Sequence, residues 1–167
     1  IDATLVSIDA REDCSDFIMV PLLWLLGAYA DRMPAAVVDR IRHSVLSYRY
    51  WVDEPGNDAM WFWSENHVLC FHTSQLLAGL LLPDEVFSAS GRTGRQQAEL
   101  GRARLARWFD SVEAHGLAEW NSAAYYPIDF IGLLALERWA EMAMSARARA
   151  QIDLIFRMIA LHSLAGV

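Results

Sequence analysis

The sequence contains no lysine. All 14 basic residues are arginine, set against 21 acids, for a net charge of −7. A phosphate-backbone partner needs a surface rich in cations, so this balance excludes nucleic acid as a main partner. The arginine-only usage reads as genomic bias toward high G+C. Cysteine is scarce too. Cys14 and Cys70 are the only two, which gives neither a disulfide framework nor a zinc motif. The nearest candidate ligand pair is Cys70 with His72, and alternate positions on a helix point apart. No metal or cofactor is expected.

Long apolar runs are also missing. The longest stretch free of acids, arginine and histidine, Phe17–Ala30, has 14 residues and contains Pro21. It is shorter than the roughly 20 residues that span a bilayer and lacks the basic flank of a signal peptide. No membrane partner is expected, and no compartment is assigned. Strand signals are nearly absent: only "ATLVSI" alternates, and there is no Asn-Gly or Asp-Gly hairpin turn. Residues 1–14 therefore read as an N-terminal segment of extended character, and residues 15–167 as one domain. The abrupt "IDATLVSID" and "LHSLAGV" ends suggest a portion of a longer chain.

Hydrophobic residues, 54% of 167, are enough for a real core. Helical periodicity covers nearly everything after residue 15. Six helices are expected, over 16–30, 34–48, 64–82, 93–115, 127–144 and 146–164. The first, third and fifth are apolar almost all round. The second, fourth and sixth are amphipathic, with Asp39, Arg40, Arg42, Glu99, Arg102, Arg104, Arg107, Arg147 and Arg157 off the apolar stripe. A helix apolar on every side must be covered on every side. The alternation predicts an all-α fold of three antiparallel helical hairpins in two layers, with an inner row of odd helices and an outer row of even ones. A shift of 57 residues superposes Trp63 on Trp120, His72 on Asp129 and Leu76-Leu77-Ala78 on Leu133-Leu134-Ala135, as stacked hairpins would.

Antiparallel neighbours put the two long even-to-odd connections, residues 49–64 and 116–126, at one end. Rigid scaffolds build sites on such loops. That end collects Trp51, Trp61, Trp63, Trp120, Tyr125 and Tyr126 around Glu65, Asn66, His67, Glu119 and Asn121, with His72 and Asp129 one turn in. Aromatic faces stack on sugar rings, and acids and amides read hydroxyl groups. The structural reading of the same residues is a packed lid, with Ser64 or Asn66 as N-cap, Glu65 as dipole complement, His72 as a hydrogen-bonded core histidine and Asp129 as an acceptor for loop N–H groups. His43, His115 and His162 are assigned no role.

An apolar inner helix opened by Asn66-His67, followed by a loop with Tyr125 and Tyr126, resembles the α/α-toroid carbohydrate-active enzymes: the six-hairpin glycosidases and the toroid polysaccharide lyases. "WSENH…FHT…LLAG" and "EWNSAAYY" also look like a family of long bacterial proteins with such a domain. Three hairpins would make roughly half of a toroid. The resemblance implies an oligosaccharide or polysaccharide partner. In a lyase, Asn66 would neutralise a uronate carboxylate, and His67 or a tyrosine would take the C5 proton. In a hydrolase, Glu65 with Glu119 or Asp129 would flank the scissile bond, roughly 5–10 Å apart. The acids Asp53, Glu54, Asp58, Glu65 and Glu119, with only Arg49 nearby, favour a neutral sugar. The catalytic candidates are thus Glu65, His67, Glu119, Tyr125 and Tyr126. The binding candidates are Trp61, Trp63, Asn66, Trp120, Asn121, His72 and Asp129. The alternative is a non-catalytic scaffold whose exposed inner-helix surface packs on more of the same chain or on a second copy.

Overall fold

The structure, a computed structural model, describes residues 2–164 and is all-helical. Seven α-helices follow one another: α1 (Asp2–Asp9), α2 (Ser15–Tyr29), α3 (Ala35–Ser47), α4 (Glu65–Leu81), α5 (Gly94–His115), α6 (Tyr126–Trp139) and α7 (Met142–His162). Five of the six expected spans are reproduced within two residues at their starts, and the C-terminal glycine of α5 sits as expected, with Gly116 at φ 76°. Thr93 and Gln96 close the other end of α5 as a capping box.

Three expectations are corrected. First, part of the N-terminal segment is a helix and not extended. The alternation in "ATLVSI" hides an i, i+3 pair, Leu5 and Ile8, which α1 buries against α2 and α3. Second, the fifth predicted helix stops at Trp139 and the sixth starts at Met142. Ala140 and Glu141 are extended although neither is a breaker, and the Ser145 hydroxyl donates to the Glu137 carbonyl across the break. Third, the inner helices do not form an open row. α4 packs on α2 and on α6, and α2 also touches α6, so the three close on one another.

α4 is the hub. Its Cys70, Phe71, Leu77 and Ala78 join a core with α1, α2, α3 and the 48–62 loop, while its Leu69 and Leu76 join a second core with α5, α6 and α7. Its contact with α5 is backbone to backbone. A Cβ on Gly79 would lie 2.3 Å from the Gly94 carbonyl oxygen and 2.5 Å from the Ala98 nitrogen. Backbone cannot move aside as a side chain can. Gly79→Ala is therefore expected to force α4 and α5 apart and cost about 2–3 kcal/mol, read as a lower urea midpoint.

The 48–64 loop is held by a buried polar network. Glu54 accepts from the Tyr50 N–H and the Gln97 side chain, both at 2.8 Å, and from Arg92 at 3.1 Å. Arg49 donates to the Glu54 and Val52 carbonyls and to Asp58, and Arg104 reaches Asp53. Three of the acids read from sequence as a repelling field are thus paired by arginines, two of them distant in the chain. Glu54→Gln turns an acceptor toward three donors into a partial donor. The expected loss is about 2–3 kcal/mol, together with faster proteolysis within residues 49–64.

Candidate functional site

The inner helices α2, α4 and α6 all open toward the same end, where the polar groups meet. Glu65, in the first turn of α4, accepts the Ala118 N–H at 3.2 Å and the Glu119 N–H at 3.4 Å. The Trp108 indole donates to the Glu65 carbonyl at 3.1 Å. These bonds strap the 116–125 loop to α4 and bring Glu119 beside Glu65, as the sequence reading required. They also use both Glu65 oxygens, so Glu65 anchors a loop.

His67 is buried. Its Nδ1 lies 3.0 and 3.1 Å from the two carboxylate oxygens of Asp16, and its ring stacks on Phe17 at 4.3 Å. Asp16 has no exposed surface. Burial pushes its carboxyl up, against the lowering effect of the His67 hydrogen bond. The Asn66 carbonyl oxygen accepts from the Ser64 hydroxyl and the His67 N–H, leaving its buried Nδ2 without a partner. Ser64 stands at the N-cap position but caps no N–H with its side chain.

Asp129, in the first turn of α6, is the most strongly perturbed acid. It is fully buried, and neither carboxyl oxygen has a hydrogen-bond partner. Burial, then the charges of Glu65 and Glu119, raise its pKa to about 8. It accepts no loop N–H, contrary to the structural reading from sequence. Glu119 is half-buried and also shifted up, by burial and then by Glu65, against lowering by His67 and the Asn66 N–H. Burial raises Glu65 as well, against the two N–H groups it accepts. Among the described residues, none of these three acids has an arginine partner.

Trp61, Trp63 and Trp120 are each more than half exposed, and Tyr125 is 45% exposed. Trp51 lies under Trp63 at 6.4 Å and covers His72 at 4.2 Å. His72 belongs to another group. It faces Arg104, Arg107 and Asp53, and burial, then the two arginines, lower its pKa to about 3. The 57-residue match of His72 with Asp129 therefore fails in space, since α6 begins one helical turn later than that shift puts it. Tyr126 is buried, and its hydroxyl accepts the Asn121 N–H. His162, given no role from sequence, meets the Trp120 ring edge-on at 4.9 Å. It lines a hollow of about 320 Å³ with Asn121, Tyr126, Pro127 and Phe130. Glu65 and His67 do not line it.

Sequence reasoning missed Asp13, Cys14 and Asp16. The Trp61 N–H donates to Asp13 at 2.9 Å, and Asp13, Cys14 and His67 each offer one donor atom within 4.8 Å of the other two. The Cys14 thiol is pushed up by partial burial and then by Asp13 and Asp16. The available signal was Asp16 itself: an acid opening an all-apolar helix needs a buried partner. No family model, curated protein or solved structure matches the chain.

Proposed function

We propose that this chain carries the substrate face of a carbohydrate-active α/α toroid and favours hydrolysis of a neutral glycan over elimination from a uronate. The observation that carries this reading is the grouping of three acids that have no arginine partner among the described residues, Glu65, Glu119 and Asp129, at the helix end that also presents Trp61, Trp63, Trp120 and Tyr125. Packing of α2 on α3, α4 on α5 and α6 on α7 supports hairpins as the unit of the ring. Hydrolysis needs one carboxyl that holds a proton and one that is ionised. Asp129 holds its proton at neutral pH but is fully buried, so Glu119, the acid of the group nearest to solvent, is the one placed to meet a substrate. Glu65 positions Glu119 through its backbone, and Asn66 has an N–H to offer. Elimination needs a cation on the uronate. Arg11 and Arg49 are both spent on Asp58, and Arg104 on Asp53.

The test is a screen against neutral and uronic polysaccharides. Release of reducing ends from a neutral glycan is the expected result. Absorbance from an unsaturated uronate would replace hydrolysis by elimination, and silence on both would overturn the enzyme reading. Trp63→Ala and Trp120→Ala are expected to weaken glycan affinity about 10-fold each, the scale of one lost aromatic stack in tryptophan-fluorescence titrations.

A second reading rests on a different observation. Between α2 and α6 lies a hollow of about 380 Å³ with walls of Val20, Trp24, Leu25, Tyr29, Ile131 and Leu134. Apolar surface of this kind suits a scaffold that packs on further chain or on a second copy. A concentration-dependent mass in light scattering, abolished by Leu134→Glu, would favour it.

A further inference from the structure

We infer that Asp13, Cys14 and His67 form a binding site for a divalent transition-metal ion of the zinc type, with Asp16 as the residue that orients His67. The inference is independent of the glycan reading.

Three kinds of donor meet there: a carboxylate oxygen, a sulfur and an imidazole nitrogen, one atom from each within 4.8 Å of the others. This N/S/O set suits Zn²⁺. Zinc bonds of about 2.0–2.3 Å place tetrahedral ligands roughly 3.5 Å apart. The donors need to close by about an ångström. Asp13 and Cys14 lie at the surface, on the short connection between α1 and α2, where side chains are least constrained by packing. Asp13 spends Oδ1 on the Trp61 N–H and keeps Oδ2.

His67 is prepared as a ligand. An ionised Asp16 carboxylate only accepts, so it selects the tautomer with Nδ1–H toward Asp16 and the lone pair on Nε2. A carboxylate behind a histidine fixes its tautomer and ring plane, as metal-binding histidines require. The backbone gives an independent sign. Cys14 has φ 65° and ψ 10°, a left-handed conformation that costs a non-glycine residue energy and collects at functional positions. The electrostatics agree: among the described residues, neither Asp13 nor Asp16 has an arginine partner, so two carboxylates flank a thiol with no cation supplied by the protein. Three protein ligands leave a fourth position for water, the arrangement of an open zinc site.

Cobalt is the probe, because thiolate-to-Co²⁺ charge transfer reports sulfur ligation directly. The metal-free chain is expected to take up one Co²⁺ with such a band, displaced by Zn²⁺. Cys14→Ser should abolish the band, and Cys70→Ala should leave it intact. Asp13→Asn, on an exposed loop, should weaken Zn²⁺ about 10-fold without changing the circular dichroism spectrum. Asp16→Asn should weaken it about 10–100-fold, the usual effect of losing a histidine's supporting carboxylate. Absence of the band, or its survival in Cys14→Ser, would overturn the site. So would rapid alkylation of Cys14 in the metal-free chain that Zn²⁺ leaves unprotected, which would make the same group a thiol nucleophile.

Discussion

Asp129→Asn is expected to raise the stability of this protein at pH 9 by on the order of 4 kcal/mol, and to leave it nearly unchanged at pH 4. The sign follows from proton binding. Burial and the charges of Glu65 and Glu119 lift the Asp129 pKa from 3.8 in the unfolded chain to about 8 in the folded one. Between those values the folded state holds a proton that the unfolded state has lost, so rising pH favours unfolding. The stability contributed by the protonated carboxyl is complete below about pH 4 and gone above about pH 8. Asparagine is neutral throughout and removes the slope. At a few degrees per kcal/mol for a chain of this size, the gap in Tm between variant and wild type should open by about 10 °C across that range. A gap independent of pH would contradict the buried-acid assignment. His72 acts on the other limb. Its pKa falls from 6.5 to about 3 on folding, so stability is lost as pH drops below 6.5, when the unfolded chain takes up a proton that the buried ring refuses. The two groups oppose each other between about pH 4 and 6.5, and above that window the His72 contribution to the slope is gone while that of Asp129 remains.

Glu119→Gln is expected to lower glycan hydrolysis by about 10²–10⁴-fold with little change in folding, the usual size of a lost acid or base catalyst. Its backbone N–H, not its side chain, is what Glu65 grips, so the substitution leaves the strap between α4 and the 116–125 loop in place. Glu65→Gln should behave differently. It weakens both N–H acceptors, loosens the loop and raises KM together with any fall in kcat. Equal behaviour of the two variants would remove the distinction between a reacting acid and a positioning one.

Much of the fold was legible because hydrophobic periodicity and caps are local. Ile41 and Val45 of α3, Leu105, Phe109 and Val112 of α5, and the glycine ending α5 all lie where periodicity puts them. Illegible were features that depend on tertiary context. The Trp139–Met142 break has no breaker residue. Leu5 and Ile8 form a helix because α2 and α3 give them a face to bury. The candidate site was legible in part. Glu65 and Glu119 were brought together through backbone N–H groups that no residue pattern reveals. Arg92 and Arg104, read as a solvated face or not at all, reach back to neutralise Asp53 and Glu54. The partnership of His67 with Asp16 spans 51 positions, and nothing in the spacing announces it.

The proposed function stands or falls on whether the aromatic end of the inner helices binds a glycan. Indole N–H resonances of all seven tryptophans, followed by ¹⁵N–¹H correlation while a neutral oligosaccharide is titrated in, test it most directly. The account predicts saturable shifts at Trp61, Trp63 and Trp120, with Trp24 and Trp139 unmoved. Shifts confined to Trp24 and Trp139, which lie on the apolar α2–α6 side, or no shifts with any neutral glycan, would contradict it.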